Sequence, residues 1–283
     1  MVLFQVIMSI SSMVLQNCLF NKICKKDLKT NDHIYRFNMI VYLVCIVLFG
    51  VAVLNGGISF FTVALGLLFG VVTALSNFYK MRSLAVGPMH ITLLITTSSM
   101  IIPTMSGVFF GEAFSIRKLI IVFILIAFIY LSLGKTESIK VNMRWILFCA
   151  LAFVFQGSIG VLQKIHQTSL YKAETNCFLF VAFICSLIYS GIMAKKSFGE
   201  LKFTKKQIAL AVICGICTYG MNFLNLKLSG LLPSQLFFPL VNGSAIVLSS
   251  LMSVVIFKEK LTTKQLIGLC GGIASLIAIC IVK

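Results

Sequence analysis

The chain alternates between long apolar stretches and short polar connections along its whole length. A helix needs about 20 mostly apolar residues to cross the core of a bilayer. Ten stretches fit this requirement closely enough to be predicted as spans: residues 2–20, 38–54, 60–79, 84–110, 119–134, 145–163, 177–194, 207–226, 230–257 and 265–282. Because the connections are too short to form a soluble domain, the pattern predicts an all-α integral membrane protein.

The composition supports this fold class. Of the 283 residues, 59% are hydrophobic and only 11% are charged, whereas a soluble domain carries about 25% charged residues. The ten cysteines lie mostly within apolar stretches, without the spacing of a disulfide framework. We interpret the CxxC of Cys214 and Cys217 as packing residues rather than as a metal or redox site. The sequence therefore predicts no metal and no cofactor.

Two segments of the chain repeat one another. GVVTALSNFYKMRSLAVGP (70–88) and GICTYGMNFLNLKLSGLLP (215–233) align at an offset of 145 residues. After two inserted residues, EAFSIRKLI (112–120) matches EKLTTKQLI (259–267). The pattern predicts two homologous repeats of five helices, residues 1–139 and 144–283. Because five is odd, the second repeat enters the membrane upside down, as in many secondary transporters; a duplicated bundle without a transport role is the alternative.

The distribution of basic residues predicts an orientation. The net charge is +17, and 18 of the 24 Lys and Arg residues are predicted to lie in the connections after odd-numbered spans, with Lys80 and Arg82 among them. The positive-inside rule places these connections in the cytoplasm and both termini outside. We therefore expect a multi-pass protein of the cell membrane, in contact with the lipid bilayer and not with nucleic acid. The first apolar stretch lacks the features of a cleaved signal peptide and is predicted to be retained.

Three motifs carry a family resemblance. They are GEAFS (111–115), KEKLT (258–262) and the closing stretch QLIGLCGGIASLIAICIV (265–282). With the duplication, they resemble the EamA-type transporters of the drug/metabolite transporter superfamily. The resemblance implies a helical bundle around a central cavity and a small-molecule substrate. Proton or ion coupling, and a monomer or a homodimer, are left open. The chain departs from the related small multidrug transporters, because its first span contains no carboxylate.

Candidate substrate-binding residues lie near the middle of the fourth and ninth predicted spans. Each of these spans contains a proline, Pro103 or Pro239, which removes a backbone donor and favours a kink. Gln156 lies at a similar depth, and Gln235 is the repeat partner of His90. The predicted set is Thr96, Thr97, Ser99, Gln156, Asn242, Ser244, Gln235 and His90. The alternatives are hydroxyls that bond to their own helix and an interfacial role for the histidine.

A second set of residues is predicted to pack helices or to form a gate. Helical spacing places its members on one stripe of each repeat. Small residues on such stripes allow helices in lipid to approach closely. The set is Gly70, Thr73 and Asn77 in the first repeat and Gly215, Thr218 and Asn222 in the second.

These features predict a secondary transporter that moves a small polar metabolite, such as an amino acid or a nucleoside, by alternating access. A flippase-like carrier of a lipid-linked headgroup and an exporter of drugs or cations are the alternatives. An enzyme is not predicted, because the predicted spans contain one histidine and no acidic residue with which to build a catalytic site.

Overall fold

The computed structural model describes residues 2–26, 30–53, 57–87, 89–132, 143–195, 204–257 and 262–282, without the side chains of 21–26, 89–91, 93, 132, 195 and 250–257. The regular secondary structure of these ranges is entirely helical. The α-helices are α1 (Val2–Lys26), α2 (Asn31–Val53), α3 (Phe60–Val86), α4 (Met89–Ser98), α5 (Ile101–Ser106), α6 (Ile116–Ser132), α7 (Met143–Thr168), α8 (Thr175–Lys195), α9 (Lys205–Leu231), α10 (Ser234–Phe257) and α11 (Thr263–Ile281).

Within the described ranges, seven helical stretches are long and apolar enough to cross a membrane. They are Val2–Phe20, Asn31–Val53, Phe60–Val86, Met143–Thr168, Lys172–Ala194, Lys205–Leu231 and Thr263–Ile281. Leu94–Phe110 and Ser234–Ser249 are shorter apolar stretches. The predicted all-α, multi-pass membrane fold is therefore confirmed over the described residues.

Several helix boundaries differ from the prediction: α1 continues to Lys26 beyond the predicted end at residue 20, and α2 begins at Asn31 before the predicted start at residue 38. The third span was predicted to end at residue 79, but α3 continues to Val86, where the Gly87 N–H donates to the Ser83 carbonyl at 3.0 Å. Lys80 and Arg82 therefore lie in a helix and not in a connection, so their predicted placement was wrong. The apolar pattern ends at the first lysine, whereas a lysine stem can lie along apolar surface within a helix.

The fourth predicted span is not one helix. Residues 84–86 belong to α3, and the remainder forms α4 and α5, which are separated by a turn at Ser99 and Met100. A 3₁₀ turn, Gly107–Phe110, extends α5. Pro103 has no N–H to donate toward Ser99, and the interruption lies directly before this missing hydrogen bond. α10, in contrast, continues through Pro239.

Apolar residues form two separate cores. The first lies among α2, α3, α7, α8 and α9 and contains Phe37, Tyr42, Phe69, Phe178 and Phe183. The second lies among α1, α6, α10 and α11 and contains Val122, Leu125, Phe237, Val241 and Leu276. Each core combines helices from the first and second halves of the chain.

The helix contacts of the two halves correspond. α3 packs against α7 and α8, and α9 packs against α1 and α2. α2 also packs against α8, and α6 packs against α11. The helices of the repeated segments, α3 and α9, therefore have matching neighbours in opposite halves.

Gly70 and Gly215 have matching contacts in detail. Gly70 lies against the Ala182 carbonyl on α8, and a Cβ at Gly215 would lie 2.7 Å from Val44 Cβ on α2. The Gly70 carbonyl accepts a hydrogen bond from Ser186 at 2.8 Å. The Gly215 carbonyl accepts one from the Cys45 thiol at 3.4 Å. Both glycines thus allow close approach of two helix backbones.

Candidate functional site

A cavity lies in the middle of the bundle, between α1, α3, α4, α5, α7, α9 and α10. Its volume is about 90 Å³. Because one water needs about 10–15 Å³, the cavity has room for several waters or a small solute. Its polar lining residues are Gln16, Asn17, Thr73, Asn77, Lys80, Thr96, Thr97, Ser99, Gln156, Gln163, Thr218, Asn222, Asn225 and Asn242. Its apolar lining comes from residues such as Met100, Phe237 and Phe238.

The wall contains many amides and few charges. Eight of its side chains are Asn or Gln, and Lys80 is the one charged residue among the described lining residues. The Lys80 ammonium donates to Asn17 Oδ1 at 3.2 Å and lies 6.0 Å from the centre of the Phe20 ring. The described wall can therefore offer many neutral hydrogen bonds together with one positive charge.

Corresponding faces of α3 and α9 form two sides of the cavity. The face of α3 consists of Thr73, Asn77 and Lys80, which we call the α3 face. The face of α9 consists of Thr218, Asn222 and Asn225, which we call the α9 face. Each set is spaced by four and then three residues, so its side chains lie on one side of a helix. The two faces differ in charge, because Asn225 occupies the position that corresponds to Lys80.

The α9 face is largely hydrogen-bonded within the protein. Thr218 Oγ1 accepts from Gln16 Nε2 at 2.6 Å and donates to the carbonyl four residues earlier at 2.7 Å. Asn222 Nδ2 donates to the Thr218 carbonyl at 2.9 Å. Asn225 Oδ1 accepts from the Ser9 hydroxyl. The bonds from Gln16 and Ser9 join α9 to α1, and the Thr218 hydroxyl is used both as an acceptor and as a donor.

The α3 face is less fully bonded. Asn77 Nδ2 donates to the Tyr42 hydroxyl on α2 at 3.0 Å. The hydroxyl of Thr73 is buried and has no hydrogen-bond partner among the described residues. A buried hydroxyl without a partner is uncommon in proteins. Thr73 therefore offers the cavity a hydrogen-bonding group that its counterpart Thr218 has already used.

Several predicted residues line the cavity but bond to their own helix. Thr96 Oγ1 donates to the Thr92 carbonyl at 2.9 Å, and the Ser99 hydroxyl donates to the Thr96 carbonyl at 2.6 Å. Asn242 Nδ2 donates to the Phe238 carbonyl at 2.9 Å. Such bonds reduce what a hydroxyl can offer a ligand. Gln156 differs, because its Oε1 accepts from Ser76 on α3 at 2.9 Å and so ties α7 to α3.

An ion pair closes one end of the bundle. Lys164 on α7 pairs with Glu112, which follows α5, and their side chains are 6% and 16% exposed. Lys164 Nζ also donates to the Ser229 carbonyl at 2.8 Å near the end of α9. The Ser234 N–H, at the start of α10, donates to Glu112 Oε2 at 2.6 Å. One charge pair thus joins four chain segments, and we call this end of the bundle the Glu112 end.

Gln235 belongs to this closed end and does not line the described cavity. Its Oε1 accepts from the Ser115 N–H at 2.9 Å, so it fastens the start of α10 to the segment before α6. Ser244, Pro239, Gly70 and Gly215 also lie outside the cavity wall. The side chain of His90 lies outside the described residues.

Lys80 lies toward the opposite end of the bundle. The N-terminus of α3 is near the Glu112 end, because Ser59 N and Oγ donate to Glu174 in the connection between α7 and α8, at 3.0 and 2.8 Å. Lys80 follows Ser59 by 21 residues, roughly 30 Å along a helix. The positive charge of the wall and the closing ion pair are therefore far apart.

Sequence reasoning missed several residues of this site. Lys80 and Asn225 were missed although they continue the predicted stripes by three residues at the same repeat offset. Gln16 and Asn17 were missed because α1 has no counterpart motif that would single them out. Glu112 and Lys164 were missed as a pair because the separation of 52 residues carries no sequence signal.

A comparison with protein-family models finds one match. Residues 143–281 match the model of the EamA-like transporter family. Over these residues, just under half of the chain, the protein is similar to the EamA-like transporters. The resemblance predicted from the paired motifs is thereby confirmed, and it is consistent with the drug/metabolite transporter superfamily. EamA-like proteins are membrane transporters and are normally not enzymes, which implies a small-molecule substrate and a bilayer.

The whole chain shares its fold with solved structures. One crystal structure, described only as that of a protein, aligns with a TM-score of 0.76 and 14% sequence identity, over 98% of this chain and 96% of that chain. The identity is low, so this likeness shows the fold alone. The comparison with curated proteins finds no match.

Proposed function

We propose that this protein is a secondary transporter that moves a small polar metabolite, such as an amino acid or a nucleoside, across the cell membrane. The observation that carries the proposal is the polar cavity inside an otherwise apolar bundle, closed at the Glu112 end by a buried ion pair. Buried polar groups are costly in a membrane and are typical of a substrate pathway.

The proposed mechanism is alternating access between two inverted repeats of five helices, residues 1–139 and 144–283. It is supported by the matching neighbours of α3 and α9 and by the matching contacts of Gly70 and Gly215. In such carriers one repeat moves against the other around a site between them. The proposed orientation follows the basic connections, with both termini outside and the Glu112 end on the outer side.

Flux through purified protein in proteoliposomes tests the transport function. Pools of amino acids, nucleosides, sugars, organic acids and organic cations are offered, with and without a pH gradient. Saturable flux of one class supports a carrier, and its response to the gradient separates coupled transport from facilitation. If the protein shows a thermal unfolding transition, and is therefore folded, but transports no solute from any pool, the proposal is overturned.

A reversible cross-link tests alternating access. In Glu112→Cys with Lys164→Cys, oxidation is expected to hold the Glu112 end closed and stop flux, and a reductant is expected to restore it. Wild-type protein treated in the same way controls for the native cysteines. Full flux through the oxidised, cross-linked protein would rule out opening at this end.

Two other cargoes are distinguished by the same assay. An exporter of drugs or cations would be shown by flux of organic cations, although the described cavity wall contains no carboxylate to attract them. A carrier of lipid-linked headgroups would leave the soluble pools untouched and would move a labelled lipid between leaflets. Neither alternative is favoured by a described contact.

A further inference from the structure

We infer that the α3 face, formed by Thr73, Asn77 and Lys80, binds an anionic group of the substrate, so that the substrate carries a carboxylate or a phosphate. This inference rests on the proposed transport function and adds a chemical class to it. The rest of the substrate would face the neutral amides of the cavity wall.

The first argument is the difference between two corresponding faces. The α3 and α9 faces share their threonine and asparagine positions, yet Lys80 is replaced by Asn225 on α9. A lysine in a membrane-buried wall has a cost that an asparagine at the same position avoids in part. The positive charge of the wall is therefore confined to the α3 face, whereas the corresponding position of the α9 face is neutral.

The second argument is the difference in hydrogen bonding. Two residues of the α9 face are hydrogen-bonded to α1: Thr218 accepts from Gln16, and Asn225 accepts from Ser9. On the α3 face, Thr73 keeps a buried hydroxyl without a described partner. Lys80 and Thr73 lie on one side of α3, seven residues apart, which is about 10 Å along the helix. A small solute can therefore contact the ammonium at one end and reach toward the hydroxyl with the other.

The third argument is the sign of the charge in the described wall. Lys80 is its one charged side chain, and the other polar groups are amides and hydroxyls. A positive group in a low-dielectric cavity attracts anions and repels cations more strongly than the same group does in water. Hydrogen bonds from an ammonium to a carboxylate or phosphate are stronger than those to a neutral amide such as Asn17.

Matched pairs of solutes test the substrate class on the unaltered protein. Proteoliposome flux is measured for carboxylic acids and their carboxamides, and for sugar phosphates and the parent sugars. We expect saturable flux of the carboxylic acids or of the sugar phosphates. The neutral carboxamides and sugars should not be transported and should not inhibit this flux. Transport of neutral or cationic solutes alone would overturn the inference while leaving the transporter intact. Flux of no solute by folded protein would instead overturn the proposed function.

Substitution of Lys80 tests the site. Lys80→Gln is expected to raise the KM for the transported anion by about tenfold or more, because a hydrogen bond from an ammonium to an anion is about twice as strong as one between neutral groups. Lys80→Arg is expected to keep most of the affinity. Lys227→Gln is the matched control, since Lys227 is exposed on α9 and lies 4.3 Å from the centre of the Phe223 ring, outside the cavity wall.

Exchange of the two positions provides a second readout. Lys80→Asn combined with Asn225→Lys moves the charge to the α9 face and is expected to recover part of the anion affinity lost in Lys80→Asn alone. An unchanged KM in folded Lys80→Gln would overturn the site. If that variant does not fold, the comparison of acids with carboxamides on the wild-type protein decides the inference.

Discussion

Lys164 and Glu112 meet at one end of the bundle, and the same carboxylate accepts the first backbone N–H of α10. The negative group therefore neutralises the lysine and also lies at a helix N-terminus, where negative charge is favoured. Both side chains are largely shielded from solvent. The ion pair therefore also stabilises the contact between the chain segments that meet at the Glu112 end.

Removal of either member of this pair is expected to destabilise the protein. Glu112→Gln or Lys164→Met leaves one buried charge without its partner, which costs about 3–5 kcal/mol in buried pairs. We expect each single variant to lower the Tm in detergent by several degrees, and the double variant to lower it by less than the sum. Thermal unfolding followed by fluorescence measures this.

The pair between Asp32 and Arg36 on α2 is the control, because it lies within one helix and is more exposed on its arginine. Loss of this pair is expected to cost less than loss of the pair between Lys164 and Glu112, because it joins no two segments of the chain. Strictly additive effects of Glu112→Gln and Lys164→Met would show that the two groups do not act together.

Alanine at Gly70 or Gly215 is expected to lower stability. The new methyl group would collide with the Ala182 carbonyl in the first case and lie 2.7 Å from Val44 Cβ in the second. These contacts are too short for carbon, so α8 or α2 would have to move. Gly191→Ala is the matched control, since its methyl would meet only Met39 Cε at 3.7 Å. A Tm of Gly70→Ala equal to that of Gly191→Ala would contradict the close approach.

Valine at Thr73 and at Thr218 is expected to have opposite consequences. Thr218→Val removes the acceptor of Gln16 and leaves a buried amide unpaired, at a cost of about 1–3 kcal/mol. Thr73→Val removes a hydroxyl that has no described partner and should leave the Tm unchanged or higher. The KM for transport should change more in Thr73→Val than in Thr218→Val. Equal losses of Tm in the two variants would argue against this difference between the faces.

Asn77 is expected to contribute more to the stability of the protein than its counterpart Asn222 does. Asn77→Ala breaks a bond from α3 to the buried hydroxyl of Tyr42, whereas Asn222→Ala removes one from a side chain to its own helix. We expect a larger fall in Tm for Asn77→Ala, and a similar fall for Tyr42→Phe. If Tyr42→Phe were neutral, the bond between α2 and α3 would contribute nothing measurable.

The apolar pattern was sufficient to predict the helical membrane fold, because a bilayer imposes long apolar helices on any chain that crosses it. The same rule located the helix ends poorly wherever a helix continues past its first charge. α3 continues through Lys80 to its cap at Gly87, and hydropathy cannot detect such a cap. The break at Ser99 and Met100 was suggested only indirectly, by the proline that follows.

The repeat was sufficient to select Thr73, Asn77, Thr218 and Asn222, all of which line the cavity. It could not distinguish them from Gly70 and Gly215, which lie on the same stripe but face α8 and α2. The direction of a side chain depends on which neighbour covers each part of a helix. That information is in the contacts between distant helices and not in the local spacing.

The two apolar cores have a consequence for the order in which the molecule is made. The ring of Phe69 on α3 packs edge-on against Phe178 on α8, with centres 5.0 Å apart. Leu125 on α6 likewise lies against Gly243 on α10. The ribosome delivers the first six helices before any of these partners exists, so neither core can close until the last third of the chain has been translated and inserted. A fragment that stops at residue 139 would therefore contain membrane helices but would lack the residues that complete both apolar cores.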